Sequence, residues 1–228
     1  MHFKGFSKEG LDFLSQIIIN NSKIYLDTHR EKYERSIVDI NKQYVYEMGE
    51  HLQILVPSIH AIPKVNKSLF RIYRDARFHK LDPIKERIGI IFWQGNTHRM
   101  QSSSFYLQYD PFEVMVATGV RSFKAPLLAL YRKHIQNAIH RENLHNILEE
   151  LKSKGYKIAD AQYKRYPLGL DKEDSFSYLY LYGAMYAYSI SEPDEIFYSE
   201  EIIKKNFAIY QDMYALHQWV FELCSLQS

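Results

Sequence analysis

Ser104-Phe105-Tyr106-Leu107-Gln108-Tyr109-Asp110-Pro111-Phe112-Glu113-Val114-Met115-Val116-Ala117-Thr118 has the pattern of two strands joined by a turn. Both halves are rich in aromatic and β-branched residues, and Asp110-Pro111 between them is turn chemistry. If Ser104–Tyr109 and Phe112–Thr118 are strands, so short a connection makes them antiparallel, because a parallel crossover needs about a dozen residues or more. Upstream, Ser68–Arg74 and Ile88–Trp93 read as strands of the same kind, bounded by Pro, Gly, Asn and Asp. Downstream, Ser175–Ile190 reads as a helix that turns into a strand near Gly183. The expected class is α+β: a largely antiparallel sheet of about four or five strands, packed by N-terminal, middle and C-terminal helices.

The helices flank these strands. Ser7 stands as an N-cap before the apolar stripe Leu11, Leu14, Ile17 and Ile18, and Asn20-Asn21 reads as the turn that ends this first helix. Ser22 caps a second, in which Tyr33, Ile37, Ile40, Tyr44, Met48, Leu52 and Leu55 recur until Pro57, a span of about eight turns. Helical spacing returns at Leu127, Tyr131, Ile135 and Ala138, and again at Leu144, Ile147, Leu148 and Leu151, before Gly155. From Ser199 the stripe Ile203, Phe207, Tyr210, Tyr214, His217, Phe221 and Cys224 predicts one amphipathic helix with that face buried.

With 46% apolar and 25% charged residues the chain has the means to bury a core, and its 19 Tyr and 13 Phe predict a tyrosine-rich core margin. No repeat or linker interrupts it, so one domain over residues 1–228 is expected. The net charge of +2 gives no overall field toward nucleic acid or anionic membranes, so nucleic acid is not an expected partner and any basic site must be local. Met1-His2-Phe3-Lys4-Gly5 lacks the apolar run of a signal peptide, no run approaches a membrane span, and the lone Cys224 forms no internal disulfide. The expectation is a cytoplasmic protein without membrane contact.

Four pieces of sequence go together: Asn20-Asn21, Tyr25-Leu26, Tyr33-Glu34 and, above all, Ser68-Leu69-Phe70-Arg71-Ile72-Tyr73-Arg74-Asp75-Ala76-Arg77-Phe78-His79-Lys80. With Phe105-Tyr106-Leu107 and Arg165-Tyr166-Pro167-Leu168-Gly169 they resemble a widespread family of bacterial and fungal proteins, a domain of unknown function, from Leu11 to near Glu222. The family's pattern includes Arg-x-x-Arg-Asp-x-Arg-Phe-x-Lys. After Lys80 this chain departs from it: Leu81-Asp82-Pro83-Ile84-Lys85 is one residue shorter and lacks an aromatic before Lys85. The resemblance implies a fold unit and lends no reaction, cofactor or substrate.

The arginine motif is also the local charge excess that carries a functional reading. Arg71, Arg74, Arg77, Lys80, Lys85 and Arg87 stand close together with Asp75 among them. Guanidinium forks bind carboxylate or phosphate oxygens two at a time, so Arg71, Arg74, Asp75, Arg77, Lys80 and Lys85 are the candidate ligand-binding residues, for a small anionic ligand. Trp93, Tyr106, Tyr109 and Phe78 are candidates for an aromatic wall. The competing reading is a buried network in which Arg74 and Arg77 pair with Asp75 and remote acids such as Glu34 or Asp110, in a protein-interaction or structural module that catalyses nothing. Strand alternation puts Arg71 and Arg74 on opposite faces, so convergence needs a turn near Asp75.

His134, His140 and His145 lack metal-binding spacing, leaving His79 as the histidine of interest. Phosphate-loop, Gly-x-Ser-x-Gly, Cys-x-x-Cys and His-Glu-x-x-His signatures do not occur. No metal or cofactor is expected, and the residues name no catalytic group.

Overall fold

A computed structural model describes residues 2–168, 170 and 173–227. Helix α1 (Lys8–Ile19) starts where expected, with the Ser7 hydroxyl accepting from the Gly10 N–H at 3.1 Å, and Asn20 caps its end. The second expected helix is instead a series: α2 (Lys23–Thr28), a single turn α3 (Arg30–Tyr33), a π-helical turn (Glu34–Val38) and α4 (Asp39–Leu55). His29 makes the first break. Its ring stacks on Tyr25 at 4.1 Å and its Nδ1 lies 2.9 Å from the Tyr25 carbonyl, a local bond that competes with continued helix. Gly10 lets α1 approach the π turn, because a Cβ there would stand 2.7 Å from the Ser36 carbonyl oxygen.

The strands β1 (Ile59–His60), β2 (Ile88–Gln94), β3 (Ser104–Tyr109), β4 (Val114–Val120), β5 (Lys157–Ile158) and β6 (Met185–Ser191) form an antiparallel sheet in the order β1-β2-β3-β4-β6-β5. The β3–β4 connection is longer than the sequence suggests. Asp110 Oδ1 accepts from the Phe112 and Glu113 N–H groups at 2.8 and 2.9 Å, so residues 110–113 close as a side-chain-capped turn and β4 starts at Val114. In β4, Gly119 (φ 128°) has no room for a Cβ, which would lie 2.1 Å from the Met185 carbonyl oxygen.

Ser68–Arg74 is not a regular strand. Ser68 and Phe70 exchange hydrogen bonds with β2 (Ile91 N–H to Ser68 O, 2.9 Å; Phe70 N–H to Gly89 O, 3.0 Å). The chain then folds back on itself, with Lys85 N–H to Ile72 O and Arg74 N–H to Pro83 O at 2.8 Å each. Divided between two partners, the segment makes only isolated bridges.

After β4 come α5 (Ala125–His134) and α6 (Ala138–Ser153), and after β5 a 3-10 helical turn (Ser177–Leu181) leads into β6, as the mixed periodicity of that run suggests. The single C-terminal helix expected from Ser199 is two, α7 (Glu201–Asp212) and α8 (Tyr214–Ser225). Asp212, at the break, accepts from the Tyr156 hydroxyl at 2.6 Å and from Lys154 Nζ at 3.0 Å. The buried set is accordingly shifted. Ile203, Tyr210, His217 and Cys224 are buried as expected, together with Asn206, Met213, Leu216, Trp219 and Leu223, whereas Phe207, Tyr214 and Phe221 are only half-buried.

By contact density the chain forms two compact units: Met1–Phe92, Tyr106–Val116 and Ile190–Ile209 in one, Trp93–Phe105, Ala117–Ser189 and Tyr210–Ser228 in the other. In the first, Phe6 stacks on Phe197 at 4.6 Å and meets Tyr44 and Tyr109 at 5.0 and 4.9 Å. The tyrosine hydroxyls there are satisfied, Tyr109 donating to Asn41 Oδ1 and Asn206 Nδ2 donating to Tyr44, each at 2.9 Å. In the second, Phe105 lies flat on His217 at 4.3 Å, and the Trp219 indole N–H donates to the His140 carbonyl at 3.1 Å.

Candidate functional site

The arginine loop lies in the first unit and is built on a side chain from elsewhere in the sequence. Asn21 Nδ2 donates to the Ile84 carbonyl at 2.8 Å, and Asn21 Oδ1 accepts from the Ile84 N–H at 2.9 Å, as a neighbouring strand would. Tyr73 adds a second tie, its hydroxyl receiving Arg30 Nη2 at 3.0 Å, while the same guanidinium holds Asp27 at 2.7 Å. In sequence, Asn21 reads as the end of a helix. Its second role depends on a partner 63 residues away.

Arg74 belongs to this frame. Its side chain is 17% exposed; Nε donates to the Ile84 carbonyl at 3.2 Å and lies 3.5 Å from Asp82, and Nη2 pairs with Glu86. Burial works to raise the Glu86 carboxyl, but its own backbone N–H and the Arg74 guanidinium hold it below the usual carboxylate range. Neither Glu86 nor Asp82 was a candidate in the sequence, and neither of the remote acids weighed there, Glu34 and Asp110, is the partner of Arg74.

Arg77 has a different setting. Its side chain is 79% exposed, and its Nε and Nη2 grip both oxygens of Asp75, Nη2 to Oδ2 at 2.6 Å and Nε to Oδ1 at 3.0 Å. Asp75 Oδ1 also accepts the Arg77 backbone N–H at 3.1 Å, so one carboxylate fixes both the turn and the guanidinium plane. The Arg77 side chain, then its backbone N–H, hold the Asp75 carboxyl far below the usual range. The turn that convergence requires is therefore present at Asp75.

The remaining candidates spread outward. Arg71 and Lys80 are exposed and form no ion pair among the described residues, and Lys85 Nζ donates to the Arg71 carbonyl at 3.0 Å. The structure thus brings Arg77 to Asp75 and Lys85 to the Arg71 backbone, and sends Arg74 to Glu86; it does not gather four cations around one point. His79 pairs with Asp82 at 3.3 Å. Of the supposed aromatic wall, Tyr109 and Trp93 are core residues, whereas Phe78 is exposed with the Arg77 guanidinium 5.5 Å above its ring. Beside the loop is a shallow depression of about 500 Å³, lined by Asn20, Asn21, Ser22, Ile24, Tyr25, Thr28 and His29.

Elsewhere, Ser103 Oγ lies 3.0 Å from His217 Nδ1, and His217 Nε2 lies 2.9 Å from Gln94 Oε1. This looks like a nucleophile and base, but Ser103 and His217 are both fully buried and burial pushes the imidazole down to about 3. It is a neutral polar knot in a core. Among the described residues no three His, Cys, Asp or Glu side chains assemble as a metal set, and no helix is long and apolar enough to cross a membrane.

No curated protein matches the sequence. The family profile of a conserved hypothetical protein, DUF2461, matches residues 9–219, and the chain belongs to that family.

Proposed function

We propose that the arginine loop binds an anionic group, phosphate or carboxylate, through Arg71, Arg77 and Lys80, with Asp75 orienting Arg77, Lys85 bracing the Arg71 backbone, and Arg74 holding the loop's shape. The observation that carries this reading is the contrast between two guanidiniums three residues apart in sequence. Arg74 is enclosed with its own carboxylate, whereas Arg77 is clamped in place by Asp75 while most of it faces solvent. A clamped, exposed guanidinium loses little side-chain entropy on meeting an oxyanion, and the exposed Arg71 and Lys80 add to the local potential. A cytoplasmic setting goes with this reading, as a chain with a single cysteine, Cys224, forms no internal disulfide.

A second reading is a protein-interaction or structural module in which the arginines only tie the loop together, and the Arg74–Glu86 pair favours it. Thermal scans with phosphate, sulfate and citrate separate the two. The anion reading expects a melting temperature that rises with the logarithm of anion concentration above the dissociation constant, a rise lost in Arg77→Ala. Arg74→Ala should melt earlier, because it leaves the part-buried Glu86 without its partner at a cost of about 1–2 kcal/mol, and should keep the anion response. A wild-type protein indifferent to all three anions would leave only the structural reading.

A further inference from the structure

Ile19, Ile24, Phe78 and Leu81 are each at least three-quarters exposed. One large apolar side chain in water is ordinary; four around one feature are not. Ile19 and Ile24 flank Asn21, whose side chain holds Ile84, and Phe78 and Leu81 lie in the loop that Ile84 closes. The depression lined by Asn20, Asn21, Ile24, Tyr25, Thr28 and His29 shares Asn21 and Ile24 with this group, and the Tyr25–His29 stack forms part of it. A local basic excess lies in the same place. Residues 64–87 hold eight basic against three acidic residues, a net +5 in a chain of +2, so the rest of the chain carries −3.

We propose that this face docks an acidic peptide segment of another protein: one large apolar side chain enters the Asn20–His29 depression while carboxylates beside it meet Arg71, Arg77 and Lys80. The proposal rests on the anion reading of the loop and adds the partner's apolar anchor. A concave seat for a single side chain, next to fixed cations, suits a peptide with one anchor residue better than a flat bilayer, which has nothing to place in it.

The test uses a fluorescent peptide of glutamates around one tryptophan, the same peptide with alanine for tryptophan, and phosphatidylserine vesicles. The tryptophan peptide should bind about tenfold tighter than the alanine peptide, a difference of about 1.4 kcal/mol. Ile24→Ser should erase that difference and leave stabilisation by citrate unchanged, while Arg77→Ala should weaken both peptides. Equal binding of the two peptides, with citrate stabilisation intact, would overturn the apolar anchor and leave the anion reading standing. Vesicle binding that Ile24→Ser, Phe78→Ser and Leu81→Ser abolish, with no preference for tryptophan, would replace the peptide by a membrane surface. Indifference to citrate and to both peptides would overturn the anion reading and the docking proposal together.

Discussion

His217 shows how a buried polar residue sets a pH limit on stability. Its ring is fully buried against Phe105, with Ser103 and Gln94 at its two nitrogens, and burial lowers it to about 3 from an ordinary value of 6.5. The folded protein keeps the ring neutral where the unfolded chain protonates it. Its contribution is therefore complete above about pH 6.5 and is lost progressively as pH falls toward 3. Between about pH 7.5 and pH 5 the wild type should lose about 2 kcal/mol more stability than His217→Gln, read from urea unfolding at each pH. Parallel pH profiles would mean that the ring is protonated in the fold. The sequence placed His217 on an apolar helix stripe but not its partners, which lie 114 and 123 residues away.

At the scale of elements, local signals were readable and long-range ones were not. The Ser7 cap, the α5–α6 pair and the strand β3 appear where expected, because each is fixed by residues close in sequence. The break at Met213 was hidden because each residue from 199 to 224 suits a helix, while the ties on Asp212 come from Lys154 and Tyr156. Ser68–Arg74 has strand composition and lost its strand to the bonds of Ile72 and Arg74 with Lys85 and Pro83. The helix break has an energetic consequence. Phe207, expected in the core, is half-buried with its ring 5.5 Å from that of His51, so Phe207→Ala should cost about 1–2 kcal/mol. Trp219→Ala, which empties a buried site and frees the His140 carbonyl, should cost about 3–5 kcal/mol. Denaturation midpoints that place Phe207→Ala below Trp219→Ala would restore the unbroken stripe.

For the molecule as a whole, the nearly balanced charge conceals an uneven distribution, with eight basic against three acidic residues between 64 and 87. The sequence revealed those cations and the family pattern around them. It did not divide them into frame and contact, because that division depends on Asn21, Asp82 and Glu86 being folded against the loop. Arg74 and Arg77 are indistinguishable by composition and opposite in setting, one enclosed and one open. The central claim is that only the open cations meet the anion. Nuclear magnetic resonance of the arginine Nε–Hε groups during a citrate titration tests it most directly. Arg77 and Arg71 should shift in a saturable way while Arg74 stays in place; a saturable shift of Arg74, or none at any of the three, would contradict the account.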